Sequence, residues 1–169
     1  MQDGVVNGLL SKLGIPKVGW LSDPSIALFT LGLLTVWQFG SSMVLFLAGL
    51  QQIPNDLYEA AAIDGASKPR VFFRITIPML TPIVLFNVIM QTVNAFQEFT
   101  GAFVITNGGP MKSTYLYAVK LYEEAFRHFN MGYASALSWV LFVIIMLVTA
   151  AIFKSSERWV HYEDGGGHR

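Results

Sequence analysis

YEAAAIDGASKPRVFFRITIPMLTP, from Tyr58 to Pro82, places charge, a run of alanines and a glycine between two long apolar stretches. The apolar flanks decide the class. Three segments lack Asp, Glu, Lys and Arg altogether: Pro24 to Asn55, Ile75 to Gln97 and His128 to Phe153, of 32, 23 and 26 residues. Each can cross a bilayer, because spanning takes about 20 apolar residues. The chain is 53% hydrophobic and 13% charged, with a mean hydropathy of +0.50, whereas about 25% charge is usual for soluble domains. These values predict an integral membrane protein that is all-α, a polytopic bundle with spans near 25–50, 78–99 and 132–153 and a helical connection at 54–77.

Net charge is zero and no run of Lys or Arg is present, so nothing points to nucleic acid or to a polybasic membrane anchor. The chain has no cysteine, which excludes disulfides and thiolate chemistry. His128 and His161 have no companions at ligand spacing, so no metal is expected. No nucleophile with a neighbouring base and no phosphate-binding loop is found, and Gly108-Gly109-Pro110 is a turn. No catalytic residue and no cofactor are therefore expected.

Residues 1–24 read as an external loop, with turn formers at Asn7-Gly8, Gly14 and Pro16, and residues 154–169 as a cytoplasmic tail whose Asp164-to-Gly167 end is disordered. Residues 100–131 read as a polar and aromatic connection. Lys68, Arg70, Arg74, Lys154 and Arg158 crowd the span ends on one side, which makes that side cytoplasmic and the N-terminus external. A polar leader without a targeting signal suggests that further spans precede Met1.

Within the connection, Asn55 is an N-cap candidate with Asp56 in the first turn, and Gly65 sits where a left-handed C-cap residue belongs. Ser67 then caps a second short helix that ends before Pro78 opens the next span. On the first helix Leu57, Ala60, Ala61 and Asp64 share a narrow arc, small enough for another backbone to approach closely. Such a helix is too short to stand alone. It either folds back on its own spans or docks on a partner.

Polar residues inside the spans are the second signal. Asn87, Gln91, Asn94 and Glu98 follow spacings of four, three and four on one helical face, opposite Leu85, Ile89 and Phe96. Amides cannot face hydrocarbon unpaired, so the stripe looks toward protein or a watery path. Gln38, Ser42 and Gly49 share a face of the first span, with Trp37 beside it, and Ser135 and Ser138 lie near the outer end of the third. Amides beside an aromatic ring suit a neutral polyhydroxylated solute, so Trp37, Gln38, Asn87, Gln91 and Asn94 are pathway candidates. For the serines and Gly49 helix-to-helix packing is the expectation, and Glu98 reads as an interfacial carboxylate.

Glu59-Ala60-Ala61, Gly65 and Ile75-Thr76-Ile77-Pro78, at their spacing, resemble the EAA motif of bacterial ABC importer permeases. Ile77 departs from the usual Leu, a volume-conserving change. Asp64-Gly65-Ala66, Phe72-Phe73, Pro82, Thr106 to Pro110, Ser113-Thr114 and Gly132 to Ala136 are similar to the carbohydrate-uptake branch. The resemblance runs from about Trp20 to Tyr162. It implies the C-terminal half of a six-span permease in a bacterial plasma membrane, its coupling residues Glu59, Ala60, Ala61, Asp64, Gly65 and Ala66 docked on a cytoplasmic ATPase dimer. A second permease subunit, an external solute-binding protein and membrane lipid are the other implied partners, and ATP hydrolysis belongs to the ATPase. The alternative is a fragment of a non-ABC channel or secondary transporter, which would normally carry an ionisable residue in mid-span.

Overall fold

A computed structural model describes residues 4–160; His161 and the Asp164-to-Gly167 tail lie outside the described residues. The described chain is helical, without strands: α1 Val5–Lys12, α2 Ala27–Trp37, α3 Gly40–Gln52, α4 Asn55–Ile63, α5 Lys68–Val71, π1 Phe72–Thr76, α6 Ile77–Phe96, π2 Gly101–Ile105, α7 Tyr117–Tyr122, π3 Glu123–Arg127 and α8 Met131–Ser156. Two helical stretches, one containing α6 and the other α8, are long and apolar enough to cross a membrane. A third crossing results if the bent pair α2 and α3 forms one span. Two compact units emerge, residues 4–38 with 97–138 and residues 39–96 with 139–160.

The first unit is built round Leu31, Ala102 and Val119, all buried, with Phe99, Phe103, Tyr115 and Leu116 packed against them. The rings of Phe99 and Phe103 stack at 4.9 Å between centroids, and Tyr122 lies 5.0 and 4.9 Å from them. Residues 100–131 are therefore not a plain connection: π2, α7 and π3 lie within them, and Ala102, Phe103, Tyr115 and Val119 supply core. The loop between π2 and α7 is pinned by Thr114, fully buried, whose hydroxyl donates to the Gly109 carbonyl at 2.7 Å and lies 2.5 Å from that of Thr106. Tyr115 donates its phenol to Glu123 at 2.5 Å, and a phenolate against that carboxylate is so disfavoured that its pKa is pushed up to about 12.

Asn7 corrects the reading of residues 1–24 as loop. It lies inside α1 and is 2% exposed; its amide donates to the Val18 carbonyl at 2.8 Å, while its oxygen accepts from the Val18 N–H at 3.2 Å and the Trp20 indole at 3.0 Å. Tertiary partners override the turn preference of Asn-Gly. Asn7→Ala strands the Val18 backbone groups and the Trp20 indole, at about 1–3 kcal/mol for each group left buried and unpaired. The expected result is a lower melting temperature in detergent, and an unchanged one would show that this clamp carries no stability.

In the second unit α3 packs on α6 where Gly49 is buried: a Cβ built there would stand 1.9 Å from Ile83 Cδ1 and 3.1 Å from Leu80 Cδ2. Small residues permit this approach between helices in lipid. Two further expectations are corrected here. The first span is not one straight helix, since α2 ends at Trp37 and α3 starts at Gly40. Nor does Pro78 open a new helix, because α5, π1 and α6 follow one another without a break. The wider π turn relieves the clash that a proline ring makes with the preceding turn, and Pro78 has no N–H to misplace. Pro82, inside α6, withdraws the N–H that would reach the Pro78 carbonyl. The Thr81 hydroxyl donates to that carbonyl at 2.7 Å instead, so no acceptor is left bare in the apolar segment.

Candidate coupling surface and polar face

α4 begins at Asn55 with Pro54 in the capping position and no side-chain cap, so Asn55 is the first helical residue and not the cap. Its end follows the sequence expectation. Gly65 takes φ +67°, the Gly65 N–H reaches the Ala62 carbonyl at 3.1 Å, and the Ala66 N–H reaches the Ala61 carbonyl at 2.9 Å. This pair of bonds is a Schellman closure, which needs a left-handed residue at the position of Gly65. Nothing stands within 4 Å of a Cβ built there, so the demand is conformational and not steric.

The expected arc of Leu57, Ala60, Ala61 and Asp64 divides. Ala61 turns inward and is buried, while Leu57, Ala60 and Asp64 are exposed. Tyr58, one turn before Ala61, explains the rotation: its hydroxyl lies 3.1 Å from that of the buried Thr76 in π1 and ties α4 to the rod that becomes α6. No sequence signal pairs Tyr58 with Thr76, although Tyr58 and Ala61 at three-residue spacing mark the inner stripe. The outer face carries Asp56, Glu59, Ala60 and Ile63, at offsets of three, four and seven, all exposed. It presents two carboxylates, a flat alanine and an apolar tip to whatever lies beyond. Behind it, Ala61, Asp64 and Ala66 face Arg70, Val71, Arg74 and Ile75 across a concavity of about 460 Å³.

The polar stripe on α6 is partly paired. Asn87 is buried and its amide donates to the Ile83 carbonyl one turn earlier, at 3.1 Å; the Gln91 amide donates to the Ser42 hydroxyl of α3 at 3.1 Å. Asn94 is exposed, and so is the far side of Gln91. Leu85 is buried beside Asn87 along the helix, so the separation into polar and apolar faces is looser than the wheel suggests. Trp37 is 85% exposed and Gln38 lies past the end of α2, in the first unit, so the expected shared face of Gln38 with Ser42 and Gly49 is interrupted by the helix break. Glu98 accepts from the Gly101 N–H at 2.7 Å, at the start of π2, and Ser138 donates to its own helix at Ala134. His128 stands 3.4 Å from Glu124, and among the described residues no cluster of His, Cys, Asp or Glu could hold a metal ion.

Apolar helices long enough to cross a membrane, joined through a short helix that ends on a left-handed glycine, define a helical membrane protein. Residues 9–161 match the family described as binding-protein-dependent transport system inner membrane component, and the chain belongs to that family. It is 54% identical over 164 residues to the probable ABC transporter permease protein YesP of Bacillus subtilis, covering 95% of this chain and 53% of that one. The sulfoquinovosyl glycerol transport system permease protein SmoG of Agrobacterium fabrum is 41% identical, over 89% of this chain and 49% of its own. For the trehalose/maltose transport system permease protein MalF of Thermococcus litoralis the values are 39%, 89% and 51%. The chain thus spans about half the length of these relatives. A bacterial ABC transporter involved in the import of the acidic polysaccharide alginate superposes with a TM-score of 0.78 over 92% of this chain and 55% of its own, at 23% identity, which establishes the fold.

Proposed function

We propose that this chain is the coupling half of a permease subunit in an ATP-driven, binding-protein-dependent importer of carbohydrates in a bacterial plasma membrane. The observation that carries the reading is α4: a nine-residue helix, closed by left-handed Gly65, that holds Glu59 and Ala60 outward while Tyr58 and Ala61 anchor it to the α5–π1–α6 rod. A cytoplasmic ATPase dimer seats this helix, a second permease subunit completes the pathway, and an external solute-binding protein delivers the solute. The chain itself contributes no catalysis; ATP is hydrolysed by the partner. Ala61 and Ala66 set the depth of the seat from within, and Glu59, Ala60, Asp64 and Gly65 face or shape the contact. The relatives named for a glycoside and for disaccharides support a sugar as the solute. In the pathway Asn87, Gln91 and Asn94 supply amides, and Trp37 with Gln38 supplies a ring face and a further amide.

Uptake of labelled oligosaccharide into proteoliposomes holding the complete transporter tests this reading. Uptake is expected only with ATP and binding protein. In Asn87→Leu/Gln91→Leu, assembly should persist because leucine packs well in a span, while uptake falls about tenfold or more, the effect of losing two hydrogen bonds of about 1 kcal/mol each. Unaltered apparent affinity and turnover in the double variant would remove these amides from the pathway and leave them as helix packing through Ser42.

A further inference from the structure

The concavity behind α4 is lined by two arginines, Arg70 and Arg74, one turn apart on the same rod. Neither has an ion pair or a side-chain hydrogen bond among the described residues, and both are exposed. Like charges at this spacing repel, by about 0.2–0.5 kcal/mol on an exposed helix, and an anion held between them relieves that repulsion. Val71, Ile75 and Ala61 add apolar walls, and Asp64 stands on the opposite side.

We infer that this concavity is a seat for a carboxylate side chain of the cytoplasmic ATPase, held by Arg70 and Arg74 while α4 is docked; the inference rests on reading α4 as the coupling helix. Guanidinium groups match a carboxylate with paired, directional hydrogen bonds, which an ammonium does not offer. Ala61, Asp64 and Ala66, from α4 and its closing turn, supply one wall of the concavity, so a partner docked on α4 has it alongside. Asp64 across the concavity repels a divalent phosphate more than a single carboxylate, which favours an acidic side chain over free phosphate. The outer face of α4 is acidic at Asp56 and Glu59 and the cleft behind it is basic. A partner that alternates in the opposite sense fits in one register only, which gives pairing specificity.

The test uses full-length permease complex in nanodiscs and the purified cognate ATPase subunit, with binding measured at low and high salt. Arg70→Gln/Arg74→Gln should weaken the ATPase about tenfold and flatten the salt dependence, and Arg70→Lys/Arg74→Lys should recover only part of the affinity. A photo-cross-linking residue at Val71 should capture an ATPase peptide that contains Asp or Glu. If Gly65→Pro releases the ATPase while the glutamine pair binds it like wild type, the seat is wrong and the coupling reading stands. If neither variant affects ATPase binding, the coupling reading fails first. If the loss in the glutamine pair vanishes in discs of phosphatidylcholine alone, the arginines hold an anionic lipid headgroup, and the protein seat is overturned.

Discussion

Gly65→Pro is expected to abolish ATP-driven uptake while leaving the amount of permease in the membrane unchanged. Gly65 sits at φ +67°, which a proline ring fixed near −65° cannot reach, and its N–H closes on Ala62. The helix end must open, and Glu59 and Ala60 lose their fixed presentation. The substitution lies outside the apolar segments, so insertion should proceed. Graded replacements sharpen the test: Gly65→Ala costs about 1 kcal/mol for the left-handed conformation and should reduce uptake, whereas Gly65→Asn tolerates that conformation and should retain most of it. Reversing the outward charge in Glu59→Lys should also uncouple transport. Full uptake by the proline and lysine variants, at equal abundance on immunoblots, would reduce the segment to a loop.

Gly49→Leu should have an effect of similar size by another route. The first carbon of any side chain there meets Ile83 Cδ1 at 1.9 Å, so α3 and α6 must separate or Ile83 must leave its rotamer. Overpacking of this kind costs about 1–3 kcal/mol, and separation also breaks the Gln91-to-Ser42 bond. The expected outcome is a purified subunit that melts well below wild type and loses its monodisperse elution in detergent. Gly49→Ala should show a smaller fall, restored in part by Ile83→Ala, because the obstructing atom is the tip of that side chain. Equal loss with and without Ile83→Ala would place the cause elsewhere than this contact.

The apolar stretches were legible because a charged side chain in hydrocarbon is costly, and three runs of spanning length carry none. Gly65 was legible for a comparable reason: few residues take positive φ, so a glycine at a helix end carries conformational meaning. Asn7 was not, since its role depends on Val18 and Trp20 arriving from beyond a turn. The break after Trp37 has no proline to announce it, and the wheel that joins Gln38 to Gly49 assumes a helix that does not continue. Pro78 misleads in the opposite direction, marking a boundary that π1 removes. The candidate coupling residues stand out only through their resemblance to a spaced motif, and the inward turn of Ala61 depends on the Tyr58 hydroxyl and Thr76, a pair 18 residues apart.

The π turn at Phe72–Thr76 has a mechanical consequence. From Lys68 to Phe96 the helix is one lever roughly 40 Å long, at 1.5 Å per residue, with the attachment of α4 near one end and Gln91 and Asn94 toward the other. The turn takes up one residue more than an α turn would and carries Arg74, Ile75 and Thr76 at the α4 end, so α6 beyond it fixes the rotational phase of the amides relative to that end. Inserting one residue in α6 after Pro82 would turn everything beyond it by about 100° while leaving Tyr58, Thr76 and the two arginines in place. A different side of α6 would then stand where Gln91 and Asn94 now point, so on the proposed reading the phase of this lever, and not its length alone, decides whether motion at the α4 end reaches the amides.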